Sequence, residues 1–195
     1  MKKAIITFVT TNKGKIESLR KKLNKEIVLK HVSLTLPELQ YDTGSEVVIW
    51  KAKEAFKKIK KPLLVQDSSF HIKTFNGFPG SYIKYILKTI GIKGILEIMK
   101  NKKDRSCYFE DAIGYTENGI DVKVFVSHNK GTLSKKIDNN NKKVMWSDLW
   151  KIFIPDGCVK SLASITEEEL EIARSKSKPN PSCFTQFIKY INQKS

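Results

Sequence analysis

The chain has 195 residues, of which 40% are hydrophobic, and a formal net charge of +16. This length and hydrophobic content allow one sizeable domain with its own core, and no apolar run is long enough to cross a membrane as a helix. The positive charge fits either an anionic partner or a general richness in lysine. Because the lysines are spread along the whole chain rather than gathered in one arm, a nucleic-acid-binding tail is disfavoured.

The first half of the chain alternates patterns that are typical of strands and of helices. Short apolar runs predict strands over residues 3–9, 27–32 and 63–66. Apolar residues at helical spacing predict helices over residues 13–23, from Ser45 to about 59, from about Tyr82 onward, and over about 92–99. Each predicted strand–helix junction carries polar residues of the kind that form turns and caps.

The second half begins with antiparallel strands and ends with helices. Residues 107–115 and 122–128 predict two strands around a turn at 116–119, and the polar stretch 138–143 predicts a loop. Thr166 and Glu169 have the spacing of a capping box, and Asn180-Pro181 predicts the start of a last helix. Together the two halves predict an α/β fold with a mixed central sheet flanked by helices.

The turn Thr10-Thr11-Asn12-Lys13-Gly14-Lys15 joins the first predicted strand to the first predicted helix. Free backbone N–H groups at a helix start attract phosphate, and hydroxyl, amide and lysine side chains there would add donors. Polar strand–helix turns are also common without a ligand, so phosphate binding and a plain turn both remain open.

Acidic residues mark two further positions. Asp67 follows the predicted strand 63–66, where α/β sheets place ligand-binding groups, and an aspartate there is either a magnesium ligand or a turn cap. Glu46 falls in the first turn of the helix predicted from Ser45, where it is either a ligand or a dipole partner. Lys51 lies on the same helix and belongs either to the site or to a solvated face.

The three cysteines, Cys107, Cys158 and Cys183, have no paired spacing. We therefore expect neither a disulfide framework nor a zinc site, and we expect a cytoplasmic location.

In chain order, these segments resemble the inosine triphosphate pyrophosphatase family. The matching segments are Phe8-Val9-Thr10-Thr11-Asn12-Lys13-Gly14-Lys15 (family motif T-x-N-x-x-K), Leu64-Val65-Gln66-Asp67-Ser68 (V-E-D-S/T), Gly77-Phe78-Pro79-Gly80-Ser81-Tyr82 (G-x-P-G-x-Y) and Ile152-Phe153-Ile154-Pro155-Asp156-Gly157. The resemblance covers nearly the whole chain.

The resemblance implies a single domain over residues 1–195 with two lobes around a cleft, and a homodimer that does not bind a membrane. It also implies hydrolysis of nucleoside triphosphates such as ITP, dITP and XTP to the monophosphate and pyrophosphate. Glu46 and Asp67 would hold Mg²⁺, and Asp67 would also be the catalytic base. The implied substrate-binding residues are Thr10, Thr11, Asn12, Lys15, Lys51, Ser68, Trp150 and Arg174.

The chain departs from the family pattern where the family reads the base. Ser147-Asp148-Leu149-Trp150-Lys151 stands in place of F-G-Y/W-D-P, and Lys178-Pro179-Asn180 stands in place of S-H-R. Gln66 replaces an acid. Glu110 and Asp111 are acids that the family does not usually carry, and either they contact the base or one of them faces solvent by strand alternation.

These departures leave three alternatives to a purine pyrophosphatase. The same reaction on a different base would follow from the altered base-reading segments, since unpaired buried polar groups penalise the wrong base. The second alternative is a nucleotide-binding protein that has lost hydrolysis. The third is a basic nucleic-acid-binding module.

Overall fold

The computed structural model describes residues 4–21, 23, 27–37, 39, 41–142, 145–177 and 181–194. The strands are β1 (Ala4–Val9), β2 (Ile27–Val32), β3 (Leu63–Ile72), β4 (Pro79–Gly80), β5 (Ser106–Thr116), β6 (Lys123–Leu133) and β7 (Phe153–Pro155). The helices are α1 (Lys13–Arg20), α2 (Gly44–Ile59), α3 (Ile83–Thr89), α4 (Gly91–Ile98), α5 (Glu167–Ser177) and α6 (Cys183–Lys194), with 3₁₀ turns at Lys73–Phe75 and Asp148–Lys151.

Within the described residues the strands form one sheet in the order β2-β1-β3-β5-β6-β7, with β4 paired to β3. β1 runs parallel to β2 and to β3, whereas β4 is antiparallel to β3 and β7 is antiparallel to β6. The mixed α/β fold predicted from the sequence is confirmed. None of the helices seen in the described residues is long and apolar enough to span a bilayer.

The chain divides into two compact units. The first unit comprises Met1–Ser68, Asp111–Ser127 and Pro181–Ser195, and the second comprises Ser69–Glu110 and His128–Asn180. Each unit has an apolar core of its own. In the first unit, one cluster contains Phe8, Leu64 and Ile113 together with residues of α1 and α6, and another contains Val65 and Ala112 together with residues of α2; in the second unit, Phe70, Phe109 and Phe153 are central.

The two apolar clusters of the first unit lie on opposite faces of the sheet. Neighbouring side chains along a strand point to opposite faces, and Leu64 belongs to the cluster with α1 whereas Val65 belongs to the cluster with α2. The helices α1 and α2 therefore approach β3 from opposite sides, and residues that follow Val65 can be reached from both.

The sequence prediction of β3 was too short. β3 continues to Ile72, and its second part pairs with β4 through Phe70↔Gly80 and His71↔Pro79. The polar residues after Val65 hide this continuation from a hydrophobicity pattern. The segment Gln66–Ser68 consequently lies within a strand, not in the loop after it.

Helix ends also differ from the predictions. The cap of α2 is Thr43 rather than Ser45, and α1 ends at Arg20 instead of reaching 23. The first turn of α6 is capped by Ser182, whose Oγ accepts from the Thr185 N–H. The predicted cap, Asn180, lies outside the described residues. The predicted capping box of Thr166 and Glu169 is confirmed at α5.

Candidate active site

A cluster of charged side chains lies beside β3, just beyond the end of β1. β1 ends at Val9, which pairs with Val65, while β3 runs on through Gln66 and Asp67. These residues of β3 therefore extend past the carboxyl end of a parallel neighbour, which is the place where open α/β sheets bind ligands. All members of this cluster belong to the first unit; they are Asn12, Lys15, Lys51, Gln66, Asp67, Ser68 and Asp111.

Lys15 reaches this position from α1. Its Nζ donates to the backbone oxygen of Gln66 at 3.4 Å. Burial lowers the pKa of Lys15 because desolvation disfavours the ammonium form, and the nearby carboxylates of Asp67 and Asp111 partly oppose that effect. A partly desolvated ammonium group interacts strongly with any anion that replaces the missing water.

Asn12 fixes the start of α1. Its Oδ1 accepts from the N–H groups of Gly14 (2.9 Å) and Lys15 (3.3 Å), and its own N–H donates to Thr10 Oγ1 at 3.1 Å. The cap therefore occupies two of the N–H groups at the helix start, and phosphate binding at this turn remains a prediction. Among the described residues, the side-chain nitrogen Nδ2 of Asn12 donates to no protein group. The neighbouring residue Thr11 is exposed.

Lys51 approaches from α2 and pairs with Asp67. Its Nζ lies 2.5 Å from Asp67 Oδ1, and both side chains are largely buried, at 14% and 17% exposure. The core-facing residues Val48, Ala52 and Ala55 of α2 are fully buried, which holds the helix and hence the base of the Lys51 side chain against the sheet. The solvated-face interpretation of Lys51 does not hold.

Ser68 and Asp111 form a second polar pair. Ser68 Oγ donates to Asp111 Oδ1 at 2.6 Å, and Asp111 is buried, with 9% exposure. Asp111 therefore does not face solvent. Its neighbour Glu110 belongs to the second unit, where its Oε2 lies 3.0 Å from His128 Nε2. Asp111 stands out in the sequence as an acid in an apolar strand, but nothing in the sequence pairs it with Ser68.

Glu46 occupies the first turn of α2, where its carboxylate completes a capping box. Glu46 Oε2 accepts from the N–H (3.1 Å) and the Oγ1 (2.7 Å) of Thr43, and the residue is exposed. This is the structural role of a glutamate at the third helical position. Its proposed role as a metal ligand remains a prediction.

Trp150 and Arg174 belong to the second unit. Trp150 lies in the 3₁₀ turn Asp148–Lys151, and its indole Nε1 is buried and has no hydrogen-bond acceptor among the described residues. Its ring packs against Trp146, and Lys142 Nζ lies 5.8 Å from the ring centroid. Arg174 is exposed in the last turn of α5. Their roles in substrate binding remain predictions.

Oxygen ligands of the type that Mg²⁺ prefers are present in the cluster. They are the carboxylates of Asp67 and Asp111, the Ser68 hydroxyl, and Gln66 Oε1, a buried atom that no described group satisfies. The described residues contain no group of three His, Cys, Asp or Glu side chains arranged as a ready metal cage. Mg²⁺ usually binds through one or two carboxylates plus substrate phosphates and water, so this donor set fits a cation that arrives with a polyphosphate.

The fold and the cluster define a class: an α/β protein with lysines and carboxylates gathered beyond a parallel strand end, suited to a polyphosphate and a divalent cation. The chain belongs to the Ham1 family, whose model matches residues 6–177. This confirms the family resemblance that the motifs indicated.

Curated relatives carry consistent names. The dITP/XTP pyrophosphatase of Pyrococcus horikoshii is 34% identical over 168 residues, covering 84% of this chain and 86% of the relative. The dITP/XTP pyrophosphatase of Saccharolobus solfataricus is 30% identical over 187 residues, covering 95% and 93%.

Solved structures agree on the fold. A HAM1 protein from Coxiella burnetii superposes with a TM-score of 0.76 at 18% identity and covers 97% of this chain and 99% of its own. The Ham1 protein of Staphylococcus aureus gives a TM-score of 0.69 at 19% identity, with 89% and 98% covered.

Proposed function

We propose that this protein hydrolyses nucleoside triphosphates between the α- and β-phosphates, releasing a nucleoside monophosphate and pyrophosphate. The observation that carries the proposal is the convergence of Lys15 and Lys51 from two helices on the neighbouring residues Gln66 and Asp67. Two ammonium groups and a carboxylate at one strand end suit a substrate that brings both negative charge and a divalent cation.

Lys15 and Lys51 bind phosphate oxygens, and Asn12 adds its amide nitrogen. The side-chain oxygen Oδ1 of Asn12 accepts two hydrogen bonds from the start of α1. The side-chain amide therefore has a defined orientation before substrate arrives. Thr10, Thr11 and Ser68 supply hydroxyl groups at the same end of the sheet. The phosphate chain is thus bound by side chains from β3, α1, α2 and the turn before α1.

Asp67 and Glu46 hold the divalent cation, which we propose is Mg²⁺. A cation held by these two carboxylates would neutralise the charge that develops on the pyrophosphate leaving group. A carboxylate, either Asp67 or one beside it, orients a water molecule towards the α-phosphorus. For Asp67 to serve, its pair with Lys51 must open.

The substrates we propose are deaminated purine nucleotides, namely ITP, dITP and XTP. Support comes from the names of the relatives, which are dITP/XTP pyrophosphatases. Trp150 and Arg174 complete substrate binding in this proposal, and the altered segment before Ile152 tunes the choice of base. We further propose a cytoplasmic homodimer, as the family resemblance implies.

The proposal is tested by measuring pyrophosphate release from a panel of canonical and deaminated nucleotides with Mg²⁺, for the wild type and Asp67→Asn. We expect release from deaminated purines that falls more than about tenfold in the variant, since a lost metal ligand costs several kcal/mol of transition-state stabilisation. Activity within tenfold of wild type would remove Asp67 from the site. Tight nucleotide binding without pyrophosphate release would favour a binding protein, and salt-steep oligonucleotide binding that triphosphate does not displace would favour a nucleic-acid module.

A further inference from the structure

The turn after β1 is held to β2 by a side chain as well as by backbone. Val9 is the last residue of β1 that pairs with β2, opposite Val32, and the N–H of the next residue, Thr10, donates to the Val32 backbone oxygen at 3.2 Å. The Nε2 atom of His31 lies 2.7 Å from the Thr10 backbone oxygen. A carbonyl oxygen only accepts, so His31 donates in this contact. Both backbone polar groups of Thr10 are therefore held by β2.

The contact with His31 fixes the direction of the peptide group between Thr10 and Thr11. This peptide group is trans and planar, so its C=O and its N–H point in opposite directions. β1 lies between β2 and β3 in the sheet, and the Thr10 oxygen points to the β2 side. The Thr11 N–H accordingly points to the β3 side, where Gln66 and Asp67 continue beyond the end of β1.

The Thr11 N–H is available to a ligand. Thr11 is exposed, and its N–H donates to no protein group in the part of the chain that the structure describes. The N–H groups of Gly14 and Lys15, by contrast, already donate to Asn12 Oδ1. Since the direction of the Thr11 N–H is set before an anion arrives, little reorganisation is needed to bind one.

Resting on the proposed pyrophosphatase function, we propose that His31 is a positioning residue, which orients the Thr11 N–H towards a phosphate oxygen of the nucleotide by holding the Thr10 carbonyl. Thr11 makes the contact to phosphate, and His31 acts through Thr10. The same hold extends to Asn12, whose backbone N–H donates to Thr10 Oγ1 at 3.1 Å. Because the phosphate contact forms both in the substrate complex and in the transition state, His31 contributes to affinity and not to the chemical step.

The test compares His31→Leu and His31→Gln with wild type, because glutamine can donate to the Thr10 oxygen and leucine cannot. Calorimetry with Mg²⁺ measures the affinity for tripolyphosphate, which has no base, and for a triphosphate with a methylene bridge between the α- and β-phosphates. We expect His31→Leu to bind both about threefold to tenfold more weakly, as for one lost neutral hydrogen bond, and His31→Gln to stay within about twofold of wild type. The KM for ITP should rise by the same factor in His31→Leu, while kcat stays within about twofold.

The Thr11 amide signal in NMR spectra gives a readout that a loss of stability alone would not change. In ¹⁵N-labelled wild type, tripolyphosphate should shift the Thr11 amide proton downfield as the hydrogen bond to phosphate forms. The shift should be smaller in His31→Leu. Val28→Thr, at an exposed position of β2 opposite Ile5, is the control and should change neither the affinity nor the amide shift.

Several results would overturn the inference. They are an unchanged affinity in His31→Leu, a fall in kcat at unchanged KM, an equal loss in His31→Gln, and a Thr11 amide that tripolyphosphate does not shift in wild type. If His31→Leu does not fold, His31→Ala replaces it with the same criteria, since His31 is exposed. A wild type that binds tripolyphosphate at Thr11 but releases no pyrophosphate from nucleotides would instead overturn the proposed function alone.

Discussion

Lys51 Nζ lies 2.5 Å from Asp67 Oδ1, so the group that we assign to phosphate binding pairs directly with the group that we assign to cation binding. The ammonium group suits phosphate, and the carboxylate suits the cation that accompanies phosphate. The pair keeps both largely buried charges compensated until substrate arrives. In the proposed mechanism, substrate binding replaces the ion pair between Lys51 and Asp67 with a contact of Lys51 to phosphate and a contact of Asp67 to the cation.

This relationship predicts opposite effects of Lys51→Met on two ligands. Without Lys51, Asp67 has lost its ammonium competitor, so Mn²⁺ should bind more tightly in the absence of nucleotide. Nucleotide binding should weaken by about tenfold or more, because a charge-assisted phosphate contact is lost. Mn²⁺ titration by electron paramagnetic resonance and the KM for nucleotide measure the two effects. Lys53→Met, at an exposed position of the same helix, is the control and should change neither. A fall in both affinities would contradict the exchange.

A second prediction concerns protons and Lys15. Burial lowers the pKa of Lys15 in the free protein, and a bound phosphate should raise it again. Between these two pKa values, nucleotide binding must take up a proton, and affinity must fall as the pH rises through the lower one. Calorimetry with the methylene-bridged triphosphate in two buffers of different ionisation enthalpy counts the proton. An unchanged proton count in Lys15→Met would assign the uptake to another group.

The same lowered pKa has a consequence for stability. The unfolded chain binds the Lys15 proton more tightly than the folded protein does. Lys15 therefore destabilises the fold below its folded pKa, and this effect disappears as the pH rises through that pKa towards the unfolded value. Lys15→Met should accordingly unfold at a denaturant concentration no lower than wild type at neutral pH, although its nucleotide binding is weaker. A clear loss of stability would contradict the desolvation of this side chain.

Glu46 allows its structural and functional roles to be separated. Glu46→Gln keeps a side chain that completes a capping box but removes the negative charge, so stability should stay within about 0.5 kcal/mol. If Glu46 binds the cation, kcat/KM should still fall more than about tenfold. Thr43→Ala is the converse variant: it should cost about 1 kcal/mol of stability and leave kcat nearly unchanged. Full activity in Glu46→Gln would restrict Glu46 to capping.

Gly114 sets how closely α2 packs on the sheet. A Cβ atom at this position of β5 would lie 2.7 Å from the backbone oxygen of Val48. Gly114→Ala should therefore displace α2, which carries Lys51, and lower the free energy of unfolding by roughly 1–3 kcal/mol, as overpacking does. Urea unfolding followed by circular dichroism measures this loss. Wild-type stability would mean that α2 packs less tightly than the structure shows.

The fold was predictable because its signals are local. The hydrophobic run of β1, the apolar face of α2 and the Thr166 capping box each specify their element within a few residues. Where the prediction failed, a local pattern was interrupted. The polar residues after Val65 ended the predicted strand, although β3 continues and is stabilised by pairing with β4, which depends on residues that follow in the chain.

The site was only half predictable for a related reason. The family resemblance implied roles for Lys15, Lys51 and Asp67, but it did not predict that Lys51 and Asp67 pair or that Asn12 occupies the helix-start N–H groups. Asp111 lies 43 residues from Ser68 along the chain, and only the packing of β5 in the sheet brings them together. Contacts of that kind arise from tertiary structure and leave no periodic trace in the sequence.

In the proposed reaction water attacks the α-phosphorus, and hydrolysis of dITP or XTP in H₂¹⁸O identifies the phosphorus that is attacked. Mass spectrometry of the products locates the label. Attack at the α-phosphorus predicts ¹⁸O in the nucleoside monophosphate and none in pyrophosphate, released in equal amounts. Label in pyrophosphate, or release of orthophosphate and nucleoside diphosphate, would contradict the reaction proposed for this site.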